Sequence, residues 1–170
     1  MAIKHIHDKR ILHRDLKSQN VFLTEKGEIK LGDFGIAKCL KNTVEVAKTI
    51  VGTPYYFSPE IIQNKPYSFK SDIWSLGILL YEMCALKMPF DGSNLASLSI
   101  KIIKGNYTPL PTSFTKDIRC LISSLLNVDM NKRPSINEIL RNSLIKQRVK
   151  NFLNEADLEK EFCMNSVNVH

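Results

Sequence analysis

His13-Arg14-Asp15-Leu16-Lys17-Ser18-Gln19-Asn20 gathers a carboxylate, two cations, an imidazole and two amides within eight consecutive residues. These types suit one kind of chemistry. Transfer of a phosphoryl group to a hydroxyl needs the hydroxyl oriented and its proton accepted, the phosphate charge neutralised, and magnesium held by hard oxygen ligands. Asp15 can orient the hydroxyl. Asn20, five residues on, can offer its amide oxygen to a metal, and Lys17 brings a cation to the same loop to meet the transferred phosphate. Thirteen residues after Asn20 comes Asp33-Phe34-Gly35, whose carboxylate can take the magnesium that bridges the phosphates. A lone Asp-Phe-Gly is a turn in most proteins and a lone His-x-Asp is commonplace. Their order carries the reading: the eight residues, a hairpin, then Asp-Phe-Gly.

The elements that must position these groups are legible in outline. Residues 1–9 read as the end of a helix. Val21-Phe22-Leu23 and Ile29-Lys30-Leu31 are short strand candidates around a turn in which Gly27 supplies a positive φ. That hairpin would bring Asn20 and Asp33 back together. Residues 36–57 are polar and Thr-rich and read as a long loop, a length that is usually functional or disordered. Ser71 is a candidate N-cap for a helix that is apolar on nearly all sides over residues 73–84, hence buried. Further helices are expected near 93–104 and 114–127. Ser135-Ile-Asn-Glu138 reads as a capping box opening another. Ile145, Val149, Phe152, Leu153 and Ala156 fall on one face of a final amphipathic helix. The expected fold class is mainly α with a small β-hairpin.

Composition narrows the setting. The 170 residues carry 24 Lys and Arg against 17 acids, a net charge of +7, and 44% are apolar. That is enough for one domain with a real core. The basic run in residues 141–150 is answered at once by Glu155, Asp157, Glu159 and Glu161, a pattern that a solvated helix face explains as well as a binding patch. No nucleic-acid partner is expected. Cys39, Cys84, Cys120 and Cys163 lie far apart, which argues against a zinc site or a disulfide framework and fits reduced thiols. Met1-Ala-Ile-Lys-His lacks the apolar core of a signal peptide, and the longest apolar stretch, residues 73–83, is too short to span a bilayer. The expectation is an intracellular, cytoplasmic protein away from membranes.

With Gly52-Thr53-Pro54-Tyr55-Tyr56, Ser58-Pro59-Glu60, Asp72-Ile-Trp-Ser-Leu-Gly77 and Arg133-Pro134 following in order, residues 1–145 resemble the C-terminal lobe of a eukaryotic protein kinase. Residues 146–170 read as a helical tail behind it. Lys17 and Gly52-Thr53 resemble the serine/threonine class. Leu-Gly-Asp-Phe-Gly-Ile-Ala-Lys38, Val-Gly-Thr-Pro-Tyr-Tyr56 and Lys-Ser-Asp-Ile-Trp-Ser-Leu-Gly77 are similar to NIMA-related kinases. The resemblance implies ATP and Mg2+ as cofactors and protein substrates. It makes Asp15 the catalytic base, Lys17 the phosphate-contacting lysine, Asn20 and Asp33 the magnesium ligands and Thr53 a substrate-positioning residue. His13, Phe34, Gly35, Glu60, Asp72 and Arg133 become structural supports, with Glu60 paired to Arg133 and Asp72 capping the backbone of the catalytic loop. Ser58 stands where the A-P-E motif of protein kinases has Ala, a small residue in either case, and Ser there is also common in the NIMA-related family. A phosphothreonine at Thr49 would bind Arg14, with Lys38 as a second cation, after the action of an upstream kinase or self-association. Relatives often serve centrosomes, microtubules or cilia.

A kinase also needs a Gly-rich loop, a β3 lysine and a helix αC glutamate. No G-x-G-x-x-G occurs, and Met1-Ala2-Ile3-Lys4 only mimics the β3 signature, since the ten residues between Lys4 and Asp15 cannot hold the intervening elements. The expectation is therefore a C-lobe without its N-lobe. It would need that lobe for activity, or act instead as an inactive module that binds protein substrates as a decoy.

Overall fold

In the computed structural model, residues 1–32 and 54–150 are described. They are mainly helical, with one two-stranded antiparallel sheet among them. Two units are distinguished, Met1–Ile136 and Asn137–His170.

The first unit opens on helix α1 (Ala2–Asp8), which buries Ile3 and Ile6. The chain then continues without regular secondary structure, with Arg10 at φ 60° and Arg14 at φ 68°, to a short 3-10 turn, Ser18–Asn20. Strands β1 (Val21–Leu23) and β2 (Ile29–Leu31) pair with Val21 opposite Leu31 and Leu23 opposite Ile29. Gly27 takes φ 77° in the turn between them, the left-handed conformation that glycine reaches without a Cβ clash. Residues 54–56, read from sequence as the end of a loop, form a 3-10 turn that buries Tyr56. Helix α2 (Pro59–Ile62) follows, with Pro59 at its first turn, where a missing N–H costs nothing.

Helix α3 (Phe69–Ala85) is the centre of the unit. Its N-cap is Ser68, not Ser71. The Ser68 hydroxyl accepts from Lys70 N, and Ser71 Oγ accepts from Ser68 N. Ser71 is thus the third helical residue closing the box, and Phe69 and Lys70 join the helix although they precede the apolar run. The all-round apolar character of α3 matches its burial: Ile73, Trp74, Ile78 and Tyr81 are all within the core. Helix α4 (Leu95–Lys104) starts at Asn94, which accepts from Ser97 N, and ends at Gly105 in the left-handed conformation. Helix α5 (Lys116–Leu125) is capped by Thr115. α3 packs on α5, and α2 packs on α4. Trp74 and Phe90 stack at 5.6 Å between centroids, and Tyr107 meets both Phe90 and Tyr81 edge-on. In sequence order, α6 (Ile136–Arg141) begins directly after Ser135, and α7 (Ser143–Lys150) follows. Ile145 and Val149 lie on α7, while Phe152, Leu153 and Ala156 are outside the described residues. No helix among the described residues is long and apolar enough to cross a membrane.

Candidate active site

The segment between α1 and β1 holds the residues singled out for chemistry, and its backbone is tied down residue by residue. Asp72, from the first turn of α3, accepts His13 N on Oδ2 and Arg14 N on Oδ1, each at 3.0 Å. His7 Nε2 stands 2.9 Å from Oδ2, and the Tyr67 hydroxyl donates to Oδ1 at 2.6 Å. Two partners on each oxygen fill the acceptor capacity of a carboxylate. Burial opposes the charge on Asp72, yet the hydrogen bonds from His7, Tyr67 and the two amides outweigh it and hold its carboxyl below the ordinary range. Burial and the facing Asp72 push the Tyr67 phenol well above its usual range, so it remains a donor.

This grip supports an unusual backbone. Arg14 has φ 68°, a left-handed conformation that costs a residue with a Cβ about 1–2 kcal/mol. His13 is fully buried. Its Nδ1 accepts from Asp15 N at 3.3 Å, which makes Nε2 the protonated nitrogen, donating to Gly32 O at 3.2 Å. One imidazole therefore links the Asp15 amide to the residue that precedes Asp33.

Asp15, Lys17 and Asn20 converge. Lys17 Nζ donates to Asp15 Oδ2 at 2.8 Å. Asn20 Nδ2 donates to the backbone oxygen of Asp15 at 2.8 Å and to Oδ2 at 3.2 Å. Both amide protons of Asn20 thus point at Asp15, which turns Oδ1 away from it. Asn20 O in turn accepts from Gly32 N at 2.9 Å, so the hairpin closes back on the start of β1 and brings residue 32 beside Asn20; the expected approach of Asp33 to Asn20 lies outside the described residues. Ser18 N donates to the Tyr56 hydroxyl at 3.2 Å, which attaches the same loop to the turn at residues 54–56.

Further from the loop, Glu60 and Arg133 meet in the interior as a two-pronged pair, with both Nη–Oε distances at 2.7 Å. Arg133 uses every donor it has. Nη1 also reaches Lys70 O, Nη2 reaches Val128 O, and Nε reaches Asn127 O, while the guanidinium lies 4.9 Å from the Trp74 ring centroid. Ser71 Oγ adds a hydrogen bond to Glu60 Oε1 at 2.7 Å. Burial opposes ionisation of Glu60, but Arg133 and Ser71 prevail and keep its carboxyl low.

Asp33, Phe34, Gly35, Lys38, Thr49 and Thr53 lie outside the described residues. Among the described residues no group of three or more His, Cys, Asp or Glu side chains could by itself hold a metal ion. Sequence reading did not single out His7, Tyr67, Tyr56 or Glu82. His7 and Tyr67 bear no helical or strand spacing to Asp72, and nothing in the local pattern marks them as its partners.

The description Protein kinase domain fits residues 1–145. Serine/threonine-protein kinase Nek1 of Mus musculus is 50% identical over 167 residues, 98% of this chain and 14% of that protein. Serine/threonine-protein kinase Nek5 of Homo sapiens is 50% identical over 95% of this chain and 23% of its own length. The Probable serine/threonine-protein kinase nek3 of Dictyostelium discoideum is 53% identical over 86% of this chain and 13% of its length. The chain therefore spans less than a quarter of each of these three relatives. The likeness to NIMA-related kinases read from sequence stands.

Proposed function

This chain belongs to the protein kinase family, and from that premise we propose that residues 13–20 serve the transfer of the γ-phosphate of ATP to Ser or Thr hydroxyls of protein substrates. The observation that carries the reading is the convergence of Lys17 and Asn20 on the Asp15 carboxylate. Asp15 is the base that orients the substrate hydroxyl and accepts its proton, while Lys17 steadies the carboxylate and meets the transferred phosphate. Thr53 positions the substrate beside them. The mainly helical architecture around one hairpin is that of a kinase C-terminal lobe.

The residues present suit magnesium. Asn20 commits its NH2 to Asp15, so the amide atom left for a ligand is a hard oxygen, and Asp33 would add a carboxylate. When bound, the ion neutralises charge on the phosphates. The exposed cross-strand pair Leu23–Ile29, at 73% and 68% exposure, supports a further lobe covering the hairpin and clamping ATP, which transfer by these 170 residues requires. Arg14 is exposed, and no carboxylate among the described residues pairs with it, which suits a phosphothreonine at Thr49 with Lys38 as second cation. Mass spectrometry that never finds Thr49 modified under stimulation would remove that part. Dependence on ATP fits an intracellular site of action.

Asp15→Asn in the full-length protein tests the core of the reading. It keeps the size of the side chain and removes the base, so radiolabel transfer to a protein substrate should fall by about 10²–10⁴-fold. Transfer at the wild-type rate would exclude Asp15 as the base.

A further inference from the structure

Helix α3 ends on a residue that the fold does not require. Leu86 is its C-cap, with φ 54° and its amide donating to Glu82 O at 2.8 Å. That left-handed conformation strains any residue with a Cβ, and bulky side chains rarely adopt it. Helix α4 ends in the same conformation on Gly105, which takes it freely. Leu86 is also 89% exposed, the most exposed of the large apolar residues described. Its neighbours are held inward: Cys84, Ala85 and Met88 pack on the core, and Phe90 stacks on Trp74. Leucine here serves neither backbone nor core, since Gly or Asn would end the helix with less strain and no apolar exposure. An anchored corner thus presents one isobutyl group to solvent.

A cation stands next to it. Lys87 is exposed and makes no ion pair among the described residues; Asp91, the carboxylate that feels its charge, is already bonded to Lys101 Nζ. The corner is also tied to the candidate active site by a short path. Leu86 lies one helical turn, about 6 Å, beyond Glu82. The Glu82 carboxylate accepts from the Tyr56 hydroxyl, which accepts from Ser18 N, three residues after Asp15. These steps bound the separation of Leu86 from Asp15 at about 30 Å, a span that about nine residues of extended chain cover. A protein segment with its acceptor hydroxyl at Asp15 therefore has length enough to lay another of its side chains on Leu86.

We propose that Leu86 is a specificity-determining contact for protein substrates, receiving an apolar side chain that stands within about nine residues of the acceptor hydroxyl and beside an acidic residue, which Lys87 meets. The proposal rests on the kinase reading of Asp15 and adds to it the kind of substrate preferred. Apolar area removed from water on both partners supplies the affinity, and the unpaired lysine favours an acidic flank over a basic one. The contact is remote from the reacting atoms and is the same before and during transfer, so it acts on substrate binding and not on the chemical step.

The test uses the full-length protein and long neutral peptides with one central serine, in which a single Leu-Glu pair is moved stepwise to about nine residues on either side. A short serine peptide without the pair is the control. With wild type, one placement should lower KM by about tenfold, as for one partly buried leucine, with kcat within about twofold. Leu86→Gly and Leu86→Asn both suit the left-handed backbone and remove the apolar group. Both should lose the gain, transfer to the short peptide as wild type does, and keep or raise the urea midpoint. Lys87→Gln should reduce the gain by about two- to threefold, the effect of an exposed ion pair. A gain that survives Leu86→Gly would overturn the proposal, and so would no gain at any placement. A midpoint lowered in both Leu86 variants would assign the side chain to the fold and overturn it as well. An undiminished gain in Lys87→Gln would overturn the part given to the acidic flank. If wild-type protein transfers no phosphate to any peptide, the kinase reading fails, and fluorescence anisotropy with the same peptides, labelled, decides the Leu86 contact on binding alone.

Discussion

Arg133 has all five of its N–H donors bonded and no exposure to solvent worth the name, and its removal leaves more than a missing contact. Glu60 would remain as a buried charge with only Ser71 to answer it, and three backbone oxygens would lose a donor. Breaking a buried pair in this way costs about 3–5 kcal/mol, far above the ~0–1 kcal/mol of an exposed ion pair such as Lys30–Glu28. Arg133→Ala should therefore lower the stability of the protein by about 3–5 kcal/mol in urea unfolding. Replacing both partners, Glu60→Gln with Arg133→Met, should cost less than Arg133→Ala alone, since no unpaired charge is left behind. A double variant less stable than the single one would show that the pair's worth lies in its own attraction and not in the penalty for orphaning Glu60.

At the scale of elements, the contact of α3 with α5 turns on Gly77. A Cβ built there would come within 2.8 Å of Leu125 Cβ and 2.9 Å of Leu126 Cδ2. The leucine tip can move aside, but Leu125 Cβ is fixed to the α5 backbone. Gly77→Ala would gain up to about 1 kcal/mol of helix propensity against an overpacking cost of about 1–3 kcal/mol. Overpacking should win, so the variant should unfold at lower urea than wild type; a higher midpoint would mean that α5 shifts freely. Such close approaches are invisible in sequence, where Gly77 looks only like a weak point in a helix. The same limit explains what could and could not be read. Asp15, Lys17 and Asn20 were legible as a group because they are neighbours in the chain and their chemistry is recognisable by type. Glu60 and Arg133, 73 residues apart, could be joined only through a family resemblance. His7 and Asp72, 65 apart, and Tyr56 and Glu82, 26 apart, could not be joined at all, because their meeting depends on how α1, α3 and the turn at residues 54–56 pack. The cap of α3 was misplaced by three residues for a local reason: Ser68 and Ser71 are both good caps, and the apolar run begins only at Ile73.

For the molecule as a whole, Asp72 and Glu60 couple stability to acid. Both carboxyls are held below their ordinary range in the folded state, by hydrogen bonds that outweigh burial. The unfolded chain, with carboxyl pKa values of about 4, binds protons first as pH falls. Their contribution is therefore fully present above about pH 5 and is lost progressively below about pH 4, as pH falls through the lowered folded values. A second effect acts in the same direction. With 24 Lys and Arg and 17 acids, protonating carboxylates drives the net charge well above +7 and adds self-repulsion. The two separate by salt. At about 1 M ionic strength the screening length is only about 3 Å, which suppresses repulsion between exposed charges but hardly touches buried groups. Urea midpoints measured from pH 7 to pH 3 should fall in high salt as well as low. Asp72→Asn, although less stable at pH 7, should show a shallower fall in high salt. An acid fall that vanishes at high salt, or one as steep in Asp72→Asn as in wild type, would assign the effect to net charge and release Asp72 from it.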